Sequence, residues 1–121
     1  MKKLVGRIDK KIINLLNLTI NEDAPIYLGD SNIQHMKKSH PADYKKYGAD
    51  IMSILSAPDY VGINPGDDSL EYVKEYKIDN EHVKVALRVS RQGIYYARSL
   101  YVLNNNRVIN FINKGTLIKV T

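Results

Sequence analysis

The chain has 121 residues and no cysteine, which suits one domain with a modest core and excludes a disulfide framework, a thiol nucleophile and a cysteine metal site. Its formal charge is +5 and its pI about 9.3, which favours an anionic partner, nucleic acid first, although a merely soluble basic domain carries the same charge. No apolar run reaches membrane-spanning length, and Arg7, Asp9, Lys10 and Lys11 break up any signal-peptide core, so a cytoplasmic chain with no signal peptide and no membrane partner is expected.

Residues 5–18 read as an amphipathic helix, with Val5, Ile8, Ile12, Leu15 and Leu16 at helical spacing. Ile26 to Leu28 form a brief strand ended by Gly29 and Asp30. Asp30 and Ser31 are good N-caps for a helix that carries Ile33, His35 and Met36. Pro41 turns His40 away from the α region, so this helix ends near Ser39. Pro41 then opens a second helix, with Asp43 near its positive end and Gly48 closing it. His40 is thereby placed at a corner between two helices. Asp50 to Ser56 make a third short helix, stopped by Ala57 and Pro58.

Residues 58–68 are dense in turn formers and read as a loop. Five strands follow, over 70–78, 82–90, 94–103, 107–112 and 117–120, with short polar connections between them. The expected fold is α+β: a helical part over about 1–57, packed on one face of a four- to five-stranded antiparallel sheet over about 69–120.

The stretch from His35 to Gly48 holds two of the three histidines, four lysines and two tyrosines. The spacing of His35, His40 and Asp43 is not the i, i+4 pair of a helical metal site, and no further ligand is evident. No metal or other cofactor is therefore expected, and a carboxylate-bound metal nuclease acting on DNA is disfavoured. In the second strand Val83, Val85, Leu87 and Val89 share the core face, leaving Lys84, Ala86, Arg88 and Ser90 on the other. Lys74 with Tyr72 and Tyr76, and Ser99 and Tyr101 with Tyr95 and Ala97, are candidates to join Arg88 on that open face. Arg98 has the wrong parity unless a bulge shifts it.

Such a face, with a histidine brought over from a helix corner, suits RNA cleavage. The 2′-hydroxyl is an internal nucleophile, histidine moves protons near neutral pH, and lysine and arginine hold the phosphate. Nine tyrosines with one phenylalanine and no tryptophan suit base stacking, and they also suit half-buried strands. Lys37, Lys38, Lys45 and Lys46 read as solvated helix faces that help capture RNA. His82, beside a polar turn, reads as solvated.

The run Ile33 to Tyr44, then Pro58 to Gly62, Tyr72 to Lys74, Val85 to Arg88 and Ala97 to Tyr101, in that order, resembles the phage-associated branch of the Barnase–EndoU–colicin–RelE-like (BECR) nucleases. The resemblance covers roughly Ile26 to Asn113. It implies a metal-independent endoribonuclease of the kind used as a toxin by phages and prophages, with RNA as substrate, tRNA among the candidates, and an immunity or antitoxin protein as partner. It implies His40 as the leading proton-transfer group, His35 second, and Arg98, Ser99 and Tyr101 completing the catalytic set. Lys74, Arg88, Tyr44 and Lys37 are the residues expected to bind substrate. A nucleic-acid-binding module without chemistry, or a phage interaction domain, stays open as the alternative.

Overall fold

Val5 and Ile8 are both buried, yet they lie in a strand. In the computed structural model, which describes residues 1–121, strand β1 runs Lys2–Ile8 and is followed by a short helix α1, Lys10–Leu16. The expected helix over 5–18 is therefore corrected. Leu4 pairs with Tyr27 and Gly6 with Ile26 of strand β2 (Ala24–Gly29), so Val5 is the extra residue of a bulge. A regular strand puts residues three apart on opposite faces. The bulge brings Val5 and Ile8 to the same side and so imitates helical spacing. Asp9 starts α1, accepting a hydrogen bond from the Ile12 amide at 3.0 Å.

β2 runs straight into α2, Asp30–Ser39. The cap is made by Asn32, whose Oδ1 accepts from the Gly29 amide at 2.8 Å, so Gly29 rather than Asp30 or Ser31 holds the N-cap position. His40 has φ −141° and ψ 69°, outside the α region, as the following Pro41 requires. Helix α3, Pro41–Tyr47, passes through a 3₁₀ turn into α4, Ile51–Ser56. Gly48 does not close α3 with a left-handed residue: its φ is −58°. A Cβ there would stand 2.9 Å from the Tyr44 ring, so the glycine makes room for that ring.

The remaining strands are β3 (Tyr60–Ile63), β4 (Leu70–Tyr76), β5 (Glu81–Val89), β6 (Tyr95–Leu103) and β7 (Leu117–Lys119), with helix α5 (Asn105–Asn113) before β7. Two expectations change here. The stretch expected as a loop contains β3, where Gly62 is needed because a Cβ would collide with the Thr116 carbonyl beside it. The strand expected over 107–112 is α5. Its β-branched residues suit a strand, but Asn104 caps a helix by accepting from the Asn106 amide at 2.9 Å, and Val108 and Phe111 face the sheet at helical spacing.

The sheet is seven-stranded and mixed, in the order β1-β2-β6-β5-β4-β3-β7. This corrects the expected four- to five-stranded antiparallel sheet behind N-terminal helices. Two strands precede and split the helical part, and Ile26 and Tyr27 of β2 pair in parallel with Tyr95 and Tyr96 of β6. The fold class remains α+β. One sheet face packs Tyr72, Val83, Val85, Leu87 and Leu100 against Met36, Ile51, Ile54 and Leu55 of the helices. On the other face a smaller cluster of Val73, Leu103 and Leu117 sits under Val108 of α5. No helix is long and apolar enough to cross a membrane.

Candidate active site

The face that carries α5 is the one that collects chemistry. Register puts Val73, Lys84 and Tyr101 in one cross-strand row, and Glu71, Ala86 and Ser99 in the next. Ser99 is opposite Ala86 and Ala97 is opposite Leu87, so Arg98 is the unpaired residue of a bulge in β6. That removes the parity conflict seen in the sequence. The bulge sends Ala97 into the core, keeps Ser99 and Tyr101 on the chemical face and leaves Arg98 exposed. The expectation that Tyr95 and Ala97 share a face with Ser99 and Tyr101 is thereby corrected.

Lys84 is the unexpected member. It is 6% exposed and its Nζ donates to Glu71 Oε2 at 2.7 Å, with Glu71 4% exposed. Asn64 Nδ2 donates to the same oxygen at 3.4 Å. Lys84 Nζ also lies 4.6 Å from the centre of the Tyr101 ring. Burial alone disfavours the ammonium form, but the hydrogen bond to Glu71, helped by the neighbouring Tyr101, outweighs it, and the Lys84 pKa is raised. Lys84 therefore stays an ammonium at neutral pH, held in its ion pair with Glu71. Alternation placed Lys84 on the open face with Arg88, but neither Lys84 nor Glu71 was named a site residue, because nothing local in the sequence joins the two. The available signal was cross-strand: folding β4 onto β5 at the turn after Tyr76 brings Glu71 and Lys84 diagonally opposite, with complementary charge.

His40 reaches this face as its corner position predicted. Its ring stacks on Tyr101, with centroids 4.7 Å apart and planes 23° from parallel. The corner is pinned by Asp43, whose Oδ2 accepts from the Val102 amide at 3.0 Å. Tyr101 thus carries both the imidazole and the ammonium.

Arg88 stands at the end of the same face and donates through Nη2 to Asp67 Oδ2 at 2.7 Å. That bond, with two more from Ser69, holds the Asp67 carboxyl well below the usual range. Arg88 and Arg98 both line an open cleft of about 650 Å³ that also takes in Tyr96, Lys2 and the start of α2.

Other expected members are elsewhere. Lys74 pairs with Val83, on the opposite face from Lys84, and donates to the Ala57 carbonyl at 2.9 Å. It does not stand with Arg88. The cause is simple parity: Tyr72, Lys74 and Tyr76 share the face of the main core. His35 is exposed on α2 and, unlike His40, has no ring stacked on it. Lys37 and Tyr44 form their own contact between α2 and α3, ammonium to ring centre 5.8 Å. His82 is not solvated: its Nδ1 is 3.2 Å from Asn105 Oδ1 and its Nε2 3.9 Å from Glu75 Oε2, linking β5 to α5. No group of three or more histidine or carboxylate side chains converges as a metal cage.

A comparison with protein-family models matches residues 2–110 to the family described as phage Barnase–EndoU–ColicinE5/D–RelE-like nuclease 3. Neither the curated proteins nor the solved structures compared with the chain return a match. The family match runs from β1 into α5 and takes in β4, β5, β6 and the corner that carries His40, and the chain belongs to this nuclease family.

Proposed function

We propose that this nuclease is a metal-independent endoribonuclease centred on His40, Tyr101 and Lys84. The observation that carries the reading is the histidine seated by a helix corner on a tyrosine whose ring also covers a buried, paired lysine. Leaving a charged pair in a sheet face is costly unless it is used or fully compensated. Here Glu71 fixes the ammonium, and the resemblance to ribonucleases gives it a use.

In the proposed reaction the 2′-oxygen bonds to phosphorus as its proton departs. The bond from phosphorus to the 5′-oxygen breaks as that oxygen gains a proton, leaving a 2′,3′-cyclic phosphate and a 5′-hydroxyl. His40 moves one of those protons and solvent water exchanges the other. Lys84 and Arg98 stabilise the charge on the phosphoryl oxygens, a contribution that depends on donors fixed before reaction. Ser99 adds a hydroxyl donor beside them, and Arg88 guides the strand. Lys84 takes the role that the sequence assigned to Lys74. A toxin role in the cytoplasm of a target cell, restrained by an immunity or antitoxin protein, is part of the same proposal, and the phage-associated family is in keeping with it.

The test is cleavage of total cellular RNA in EDTA by wild type, His40→Ala and Lys84→Met at matched folding. Discrete fragments from wild type, lost in both variants, support the reading. Fragments that appear only when a divalent cation is added overturn metal independence. Salt-dependent RNA binding by folded wild type with no cleavage points to a binding module.

A further inference from the structure

The loop that joins β3 to β4, Asn64 to Ser69, reaches both cations that β5 presents on the chemical face. Those cations, Lys84 and Arg88, share the face with Ala86 between them, so their Cα atoms stand roughly 13 Å apart at the usual strand rise.

The loop is first closed on itself. The Asn64 amide donates to the Ser69 carbonyl at 2.9 Å, and the Asp68 amide donates to the Asn64 carbonyl at 2.9 Å. Asn64 Oδ1 accepts from the Gly66 amide at 2.7 Å. Asp67 Oδ1 accepts from the Ser69 amide at 3.0 Å and from its hydroxyl at 2.7 Å. Asn and Asp side chains form turns with their own backbone in this way, and here that uses only one end of each. The other end points at the site. The Gly66 amide fixes which end of Asn64 is the oxygen, so the remaining end is an NH2 group that has to donate. It donates to Glu71 Oε2 at 3.4 Å, the oxygen that also holds Lys84. Asp67 Oδ2 accepts from Arg88 Nη2 at 2.7 Å.

The two arms differ in burial. The Lys84 and Glu71 side chains are 8% and 6% exposed, those of Arg88 and Asp67 43% and 39%. A buried pair keeps its partners, whereas an exposed pair is held weakly and exchanges with the solvent. Carboxylate and phosphate oxygens offer a guanidinium the same acceptors. An arriving phosphate therefore takes the place of Asp67 on Arg88, while Glu71 stays on Lys84.

We propose that this loop is a positioning element for the reaction: Asn64 orients Glu71, and through it Lys84, for the chemical step, and Asp67 holds Arg88 in the free protein and yields it to a substrate phosphate. The proposal rests on the endoribonuclease reading and adds two positioning residues to it.

The experiment measures kcat and KM for cleavage of one short RNA, and the salt dependence of binding of its uncleavable 2′-O-methyl form. It compares wild type with Asn64→Asp, Asn64→Ser and Asp67→Asn at matched folding. Each substitution keeps an oxygen that can accept from the loop backbone. Asn64→Asp sets a second carboxylate oxygen against Glu71, and Asn64→Ser, too short to reach Glu71, is the independent variant if the added charge impairs folding. Both are expected to lower kcat by about ten- to 100-fold with KM little changed, the scale of a small displacement at the reacting centre. Asp67→Asn frees the Arg88 charge and is expected to bind RNA more tightly at low salt. Its slope of log affinity against log salt should be steeper by about 0.7, one phosphate contact on a single strand. A loop that only supported the fold would weaken cleavage and binding in all three variants alike. Wild-type kcat in the folded Asn64 variants, or a wild-type salt slope in folded Asp67→Asn, overturns the positioning role and leaves the nuclease reading intact. No cleavage by wild type overturns both.

Discussion

Lys84 and Glu71 hold each other inside the sheet face, Nζ to Oε2 2.7 Å, with 8% and 6% of their side chains exposed. Removing one partner strands the other as a buried charge. Lys84→Met or Glu71→Leu alone is therefore expected to cost about 3–5 kcal/mol, and the double replacement much less. Denaturant unfolding of the three variants measures this, and equal losses in the single and double variants would refute the pairing. The pH dependence has a definite sign. The folded-state pKa of Lys84 is raised above its ordinary value, so its stabilisation is complete below the ordinary lysine pKa and is lost as pH rises through the higher folded value. The wild-type stability curve should fall on the alkaline side more steeply than that of the double variant.

How much of this was legible in the sequence depends on the range of the interactions. The corner at His40 was readable because Pro41 acts on the residue directly before it, and the strands from Leu70 to Leu103 because short polar turns connect them. β1 was hidden by the bulge at Val5. The parallel joint of β2 to β6 links residues about 70 positions apart in the chain and leaves no local signal. α5 was concealed by Val108, Ile109 and Ile112, which are strand formers held in a helix by the Asn104 cap and by packing on Val73, Leu103 and Leu117. Ser99 and Tyr101 were placed on the open face by alternation, whereas Lys74 lies on the other face, its own strand's parity having been joined to the wrong one. Lys84 and Glu71 needed the register of β4 on β5 before they could be seen as a pair.

In the proposed reaction, the stacking of His40 on Tyr101 makes the two residues work as one unit. Tyr101→Phe keeps the ring that seats the imidazole and is expected to retain most of the cleavage rate. Tyr101→Ala removes the seat and is expected to lower kcat by about 10²–10⁴, the range for loss of a positioned proton-transfer group. Adding Tyr101→Ala to His40→Ala should then cost little more than His40→Ala alone, since groups that act together are non-additive. Additive losses in single-turnover cleavage would show that Tyr101 does not work through His40.

Arg98 separates a charge effect from a backbone effect. Its side chain is exposed, so Arg98→Ala should change stability by less than about 0.5 kcal/mol while lowering cleavage. Deleting Arg98 is a different perturbation. Without the extra residue, Ala97 and Ser99 cannot both keep their faces, and either the core or the site loses its side chains. The deletion is expected to unfold the chain or shift its melting temperature by many degrees, as thermal unfolding followed by circular dichroism would show. A deletion variant as stable as wild type would mean that the bulge is dispensable.

Tyr72 offers a stabilising change far from the chemistry. It is fully buried on the main core face, and its hydroxyl has no hydrogen-bond partner. Burial pushes the pKa of this phenol up, in keeping with an environment that does not solvate it. A buried polar group without a partner costs about 1–3 kcal/mol, whereas an apolar group of the same shape avoids that cost. Tyr72→Phe keeps the ring and removes the oxygen, so it is expected to raise unfolding free energy by about 1 kcal/mol with cleavage unchanged. The site lies on the opposite sheet face, beyond Val73 in the chain, and the ring's packing against the helices is preserved. Urea unfolding of the two proteins decides it: a loss of stability in Tyr72→Phe would mean that the hydroxyl is satisfied in solution, for which a bound water is the obvious partner.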